Sequence, residues 1–202
     1  MTFAQDLSAP LSIVKQLRER GFQALFAGGW VRDYLLGKRG MDVDIATDAT
    51  PQEIAEIFEK TVPVGANFGV MIVVVEGTPY EVATFRRDGN YVDGRHPVTV
   101  EFSEACEDAQ RRDFTINGMF YDPIENKVID YVHGQEDLSK KILKAIGNPE
   151  ARFREDHLRM LRAVRFATRL GFALDPATAA AIQKALKELL KNLGKLLKTE
   201  TF

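Results

Sequence analysis

The sequence predicts an α+β head over residues 1–150 followed by an all-helical region over residues 151–202, and three observations lead there. Up to about residue 150, short runs rich in β-branched and aromatic residues alternate with segments whose apolar residues recur at helical spacing. From Glu150 onward only helical spacing remains. Between them, Phe26-Ala27-Gly28-Gly29-Trp30-Val31-Arg32-Asp33 followed by Asp42-Val43-Asp44 reads as an apolar strand, a glycine turn, a short helix carrying Arg32, and a second strand bearing two carboxylates.

Taken in order, Leu11, Ile13, Val14 and Leu17 mark a helix that Gly21 ends, and Phe22 to Ala27 is a strand. Thr50-Pro51-Gln52-Glu53 is a capping box with proline at the first helical position, opening a helix to about Lys60. Val70 to Glu76 and Tyr80 to Phe85, joined by Gly77-Thr78-Pro79, form a hairpin. Arg86 to Pro97 is polar, contains Gly89 and Gly94, and reads as a loop. Ser103 to Gln110 is a helix, and strands follow near Met119–Tyr121, Val128–Tyr131 and Ile142–Ile146. One helix then runs to about Leu170, and another opens at Asp175-Pro176.

The composition, 45% apolar and 28% charged, is that of a soluble globular protein. No run is long and apolar enough to span a bilayer and the N-terminus lacks a secretory pattern, so a cytoplasmic location is expected. One cysteine, Cys106, excludes an internal disulfide framework, and with three histidines it argues against structural zinc. The net charge of −2 argues against a purely electrostatic RNA binder, but it is unevenly spread. Residues 152–202 hold 11 Lys/Arg against 5 Asp/Glu, a local +6 that leaves −8 on the first 151 residues. A basic segment behind an acidic head fits a polyanion held at one end, or else a solvated helix face.

Gly28 and Gly29 let the backbone approach a phosphate where a Cβ would intrude. In a strand, residues two apart share a face, so Asp42 and Asp44 present adjacent carboxylates to one point. Such a pair suits Mg²⁺, which takes one or two carboxylates together with phosphate oxygens. A polar strand end would look the same in isolation; the glycine pair and Arg32 favour the metal.

Several segments, in the same order, resemble class II tRNA nucleotidyltransferases and bacterial poly(A) polymerases of the DNA polymerase beta-like superfamily. They are Phe26 to Gly37 with Asp42-Val43-Asp44; Glu81 to Arg86; Asp93-Gly94-Arg95-His96-Pro97; Arg111-Arg112-Asp113-Phe114-Thr115-Ile116-Asn117-Gly118; and Glu155 to Phe166. The resemblance runs from about residue 22 to about residue 175. It implies a polymerase beta-like nucleotidyltransferase head with a mixed sheet and flanking helices, then an all-helical neck truncated relative to the family's helical body and tail.

The resemblance assigns metal binding and catalysis to Asp42 and Asp44, with Glu81 as a candidate third carboxylate or else a surface residue after a turn. Gly28, Gly29 and Arg32 resemble the family's phosphate-handling turn, with a structural Arg32–Asp33 ion pair as the lesser alternative. Arg112 is assigned to the nucleotide, Asp113 to the ribose, and Asn117 to a supporting hydrogen bond. Asp156 and Arg159, three apart on a helix, would reach one ligand unless they only pair with each other. A carboxylate beside a guanidinium complements the Watson–Crick edges of cytosine and adenine and mismatches uracil and guanine. Arg162 and Arg165 continue at intervals of three and are expected to line the same cleft.

The implied function is template-independent, Mg²⁺-dependent addition of CMP and AMP to RNA 3′ ends from CTP and ATP, two ions acting during catalysis. CCA or terminal-A addition to tRNA is the favoured activity. Poly(A) polymerase is the nearest alternative, and a catalytically weak nucleotide- or RNA-binding module the more distant one. No membrane partner is expected. Ile182, Leu186, Leu189, Leu193 and Leu196 form a stripe along the last helix that predicts self-association or fraying beyond Leu193.

Overall fold

A computed structural model describes residues 6–38, 42–89 and 99–199, with side chains described as far as Lys191. In chain order the elements are α1 (Ser8–Glu19), β1 (Ala24–Ala27), α2 (Gly29–Leu35), β2 (Asp44–Thr47), α3 (Pro51–Ile57), β3 (Thr61–Gly65), β4 (Val70–Val75), β5 (Thr78–Thr84), β6 (Arg86–Asp88) and β7 (Val100–Phe102). Then follow α4 (Ala105–Arg111), β8 (Met119–Asp122), β9 (Lys127–Asp130), α5 (Gly134–Ser139), β10 (Ile142–Leu143), α6 (Pro149–Glu155), α7 (Leu158–Leu170), β11 (Ala173–Leu174) and α8 (Pro176–Thr199).

Among the described residues, seven strands form one mixed sheet in the order β3-β4-β5-β2-β1-β8-β9. Only β2 and β5 pair in parallel; the other neighbours are antiparallel. The interior strand β1 is buried on both faces, which is why Ala-Leu-Phe-Ala reads as an unbroken apolar run. Its alternation sends Ala24 and Phe26 into one apolar cluster and Leu25 and Ala27 into another. The first cluster also holds Ile13, Val14 and Leu17 of α1 and Ile54 of α3; the second holds Ala105 and Ala109 of α4 with Phe85 and Phe120. Phe153 of α6, Met160, Ala163 and Phe166 of α7, and Ile182 of α8 belong to the first cluster, so the helical segment docks on the head through a shared core.

The Thr50 capping box forms as expected, its hydroxyl accepting from the Glu53 N–H while the Glu53 carboxylate accepts from Thr50. Asp175 caps α8 by accepting from the Thr178 N–H at 3.0 Å. The α8 backbone stays helical through Gly194 to Thr199; the side chains of Leu193 and Leu196 lie outside the described residues.

Four expectations need correction. The single helix expected to reach Leu170 is two, α6 and α7, because Asp156 adopts extended backbone and its carboxylate accepts from the Leu158 N–H at 2.8 Å. The residues from Arg86 are not all loop: β6 pairs with β7 as a two-stranded arm, and residues 90–98, with His96, lie outside the described residues. Strand β3 escaped notice because Pro63 sits within it, a residue tolerated only at a sheet edge, where β3 lies. Strand β2 begins at Asp44, so Asp42 precedes the strand instead of belonging to it.

Candidate active site

The carboxyl end of β1 runs straight into a turn where Gly28 has φ +65°, a conformation that favours glycine. A Cβ there would stand 3.2 Å from Nη1 of Arg112 and 3.9 Å from Oδ2 of Asp44. The turn therefore brings bare backbone against a guanidinium and a carboxylate from two other elements. Gly29 opens α2, which carries Arg32 inward.

Around this turn lies a cavity of about 450 Å³ lined by Gly28, Gly29, Arg32, Asp44, Arg111, Arg112, Asp113, Asn117, Asp156, Arg159, Arg162 and Phe166. Five arginines against three aspartates give the wall a positive balance suited to a polyphosphate. Arg32 is buried; its Nε and Nη2 donate to Asp33 at 2.9 and 2.8 Å, and Nη1 donates to Oδ1 of Asn117 at 2.8 Å. Arg32 thus both pairs with Asp33 and lines the cavity.

Asp113 is buried and fully engaged. Its Oδ1 accepts from its neighbour Phe114 N–H at 2.8 Å and from the Asn117 amide at 3.1 Å, and its Oδ2 accepts from Nε of Arg162 at 2.7 Å. Arg32, Arg162 and Arg165 all approach the Phe166 ring, at 5.4, 5.5 and 5.2 Å from its centroid.

Asp156 and Arg159 both line the cavity, although Asp156 stands just ahead of the helix that bears Arg159. Their backbones are joined, the Arg159 N–H donating to the Asp156 carbonyl at 3.1 Å, while the guanidinium reaches other groups: Nη1 of Arg159 donates to Glu155 at 2.7 Å, and Nη2 donates to the Arg111 carbonyl at 3.4 Å. Arg165 does not line the cavity. A step of three residues falls about 60° short of a full helical turn, so over two steps Arg165 has swung about 120° away from Arg159.

Glu81 lies elsewhere. With Asp42, Val43, Asp44 and Tyr80 it lines a second cavity of about 440 Å³. Asp44 is common to both, and so stands in the wall between them. Burial first, then the Glu81 charge, pushes the Asp44 carboxyl up to about 6, with Asp42 adding to the rise and Arg112 opposing it. That crowding of negative charge is what a hard divalent cation relieves. Among the described residues no group of three or more His, Cys, Asp or Glu forms a metal cage. The donor set fits an ion held by one or two carboxylates and completed by phosphate oxygens.

The raised carboxyl has a consequence for stability. With the folded carboxyl pushed up to about 6 from an ordinary value of 3.8, its ionisation costs nothing well below the ordinary value, and the cost grows between the two and is complete above pH 6. Asp44→Asn should leave the thermal midpoint almost unchanged at about pH 3 and raise it at about pH 7.5, by on the order of a few degrees since about 1 kcal/mol moves a chain of this size by about 2–4 °C. Divalent cation should raise the parent's midpoint and not the variant's. Equal midpoints at pH 7.5 without cation would contradict this account.

The lining residues that the sequence did not single out are Arg111 and Phe166. Arg111 stood inside a quoted motif beside Arg112. Phe166 likewise stood inside a quoted motif, as the last residue of Glu155 to Phe166.

The Poly A polymerase head domain family matches residues 24–144. The CCA-adding enzyme of Bacillus pumilus is 48% identical over 185 residues, covering 91% of this chain and 46% of that protein. A crystal structure of the Bacillus stearothermophilus CCA-adding enzyme in complex with CTP superimposes with a TM-score of 0.80 at 45% identity, covering 87% of this chain and 42% of that one. A crystal structure of a tRNA nucleotidyltransferase complexed with a primer tRNA and an incoming ATP analog gives a TM-score of 0.72 at 34% identity, over 88% of this chain and 51% of that one. The chain spans about half the length of the relatives it matches. No helix among the described residues is long and apolar enough to cross a membrane.

Proposed function

The chain belongs to the Poly A polymerase head domain family, and on that premise we propose that it selects CTP and ATP and transfers CMP and AMP to tRNA 3′ ends without a template. The observation that carries this reading is the convergence on one cavity of a glycine turn, an arginine-rich wall, and Asp156 with Arg159, beside Asp44. The reaction forms a bond from the RNA 3′-oxygen to the α-phosphorus, breaks the α–β phosphoanhydride bond, and releases pyrophosphate and the hydroxyl proton.

In this reading the triphosphate lies along Gly28, Gly29, Arg32 and Arg112, whose donors are already held by Asp33 and Asn117 or by neighbouring carboxylates. The ribose 2′-hydroxyl takes a bond to Asp113 as half-exposed Arg162 swings from that carboxylate toward phosphate. The base edge meets Asp156 and Arg159, which accept from and donate to cytosine or adenine. Arg165, outside the cavity, faces solvent beside Phe166 and is available to an RNA phosphate. The RNA 3′ end enters the second cavity, so that both substrates meet at Asp44. Asp42 and Asp44, with Glu81 behind them, would hold Mg²⁺, which when bound supplies charge stabilisation to the attacking and leaving oxygens. Residues 1–150 form the head and 151–202 the start of a helical neck.

The test is incubation with tRNA lacking CCA, tRNA ending in CC, and generic RNA, each with every NTP separately. Additions that stop at CCA support the reading. Long A-tracts on generic RNA would favour poly(A) synthesis, and no extension at all would favour a binding module. Leu161 and Val164 of α7 and Leu186 and Leu190 of α8 are exposed, which supports self-association through these helices. Light scattering over a concentration series should then show dimers lost in Leu186→Glu/Leu190→Glu; a monomeric parent would contradict it.

A further inference from the structure

The side chain of Asp108, on α4, is 2% exposed, yet the cavity does not include it. Its Oδ2 accepts from Nε and Nη2 of Arg112 at 3.0 and 2.9 Å, a clasp in which both donors converge on one oxygen. Its Oδ1 accepts from Nε of Arg111 at 2.9 Å and from the Arg86 N–H at 3.2 Å. Arg111 in turn donates to the Arg86 carbonyl at 3.1 Å, so the peptide groups at the root of the two-stranded arm are held from both sides. Burial opposes ionisation of Asp108, and the guanidiniums of Arg112 and Arg111 outweigh it, keeping the carboxyl below its usual range.

The clasp decides where Arg112 points. With Nε and Nη2 committed backward to Asp108, and the guanidinium 4.9 Å over the Phe120 ring, the remaining Nη1 is turned against Gly28 and Asp44. A flexible side chain with four torsions would otherwise lose rotamer freedom each time a nucleotide bound.

We propose that Asp108 is a positioning residue that fixes Arg112 for the triphosphate and, through the Arg86 peptide, ties the arm to the nucleotide cavity. The inference rests on the reading of that cavity as a triphosphate site. Asp108 acts through Arg112 and touches no substrate.

The experiment is a cycle of Asp108→Asn, Arg112→Gln and the double variant, read as Kd for CTP and ATP and as KM against kcat. Asp108→Asn should weaken nucleotide binding and raise KM roughly tenfold, the scale for one charge-assisted hydrogen bond. In the Arg112→Gln background it should add almost nothing, because the group it positions is gone. A purely structural role would lower the active fraction and leave KM and Kd alone, or act equally in both backgrounds; either result overturns the proposal. If Asp108→Asn does not fold, Asp108→Glu, which keeps the charge but shifts the clasp by one methylene, takes its place with the same expectation. A parent that binds neither nucleotide refutes the triphosphate site and the inference with it, whereas a parent that binds both beside unaffected Asp108 variants refutes the inference alone.

Discussion

Asp42→Ala and Asp44→Ala are each expected to abolish nucleotide incorporation while the fold survives. Asp44 sits at the first residue of β2, half-buried between the two cavities, and Asp42 is exposed just ahead of it. Among the described residues neither accepts a hydrogen bond that holds an element in place, in contrast with Asp108 or Asp113. Removing either carboxylate strips the cation of a ligand where both reacting oxygens meet, and loss of metal-assisted stabilisation costs several kcal/mol of barrier, or a rate loss of on the order of a thousandfold or more. Circular dichroism should match the parent, and Asp44→Ala should melt no lower than the parent at neutral pH because a crowded charge has been removed. Extension of tRNA at ordinary Mg²⁺ concentrations is the readout. Turnover within tenfold of the parent by either variant would place the metal elsewhere.

The second large effect concerns base choice. Asp156 has two tasks: Oδ1 accepts from the Leu158 N–H at the start of α7, and the carboxylate lines the cavity. Asp156→Ala removes both, so Asp156→Asn is the better probe. Its carbonyl oxygen keeps the cap while its amide offers donors where an acceptor stood, which repels the exocyclic amino group of cytosine or adenine and welcomes the carbonyl of uracil or guanine. The kcat/KM ratio of UTP to CTP should rise by about tenfold or more, since one exchanged hydrogen bond is worth about 1–3 kcal/mol. Arg159→Ala should instead depress CTP and ATP together. Because Arg159 is buried and bound to Glu155, its melt must be recorded alongside. An unchanged ranking of the four nucleotides in both variants would show that the base is read by other groups.

Local chemistry explains what could be read from the sequence and what could not. The hairpin of β4 and β5, the capping box at Thr50 and the Asp175 cap follow from side chains acting on their own neighbours, and the structure contains each. The break at Asp156 is equally local, but a single aspartate inside an otherwise helical pattern gives no way to tell capping from a solvated face. The pairing of β6 with β7 closes across residues 89–99 between short polar strands, so neither carries an alternating apolar pattern. The cavity draws its walls from the β1–α2 turn, the segment after α4, and α6–α7, and only the order of several motifs hinted that these converge. Asp108 did leave a signal, at three and four residues before Arg111 and Arg112, the spacing at which helical side chains meet. Arg165 shows the reverse, a residue at plausible spacing that helical rotation carries out of the cavity.

The most direct measurement of the central claim, that one protein-built cavity selects C and A without a template, is equilibrium binding of all four NTPs to the unaltered chain with Mg²⁺ and no RNA. CTP and ATP should bind at one site per chain and compete with each other, with UTP and GTP weaker by at least about tenfold. Equal affinity for the four nucleotides, or separate non-competing sites for CTP and ATP, would contradict it.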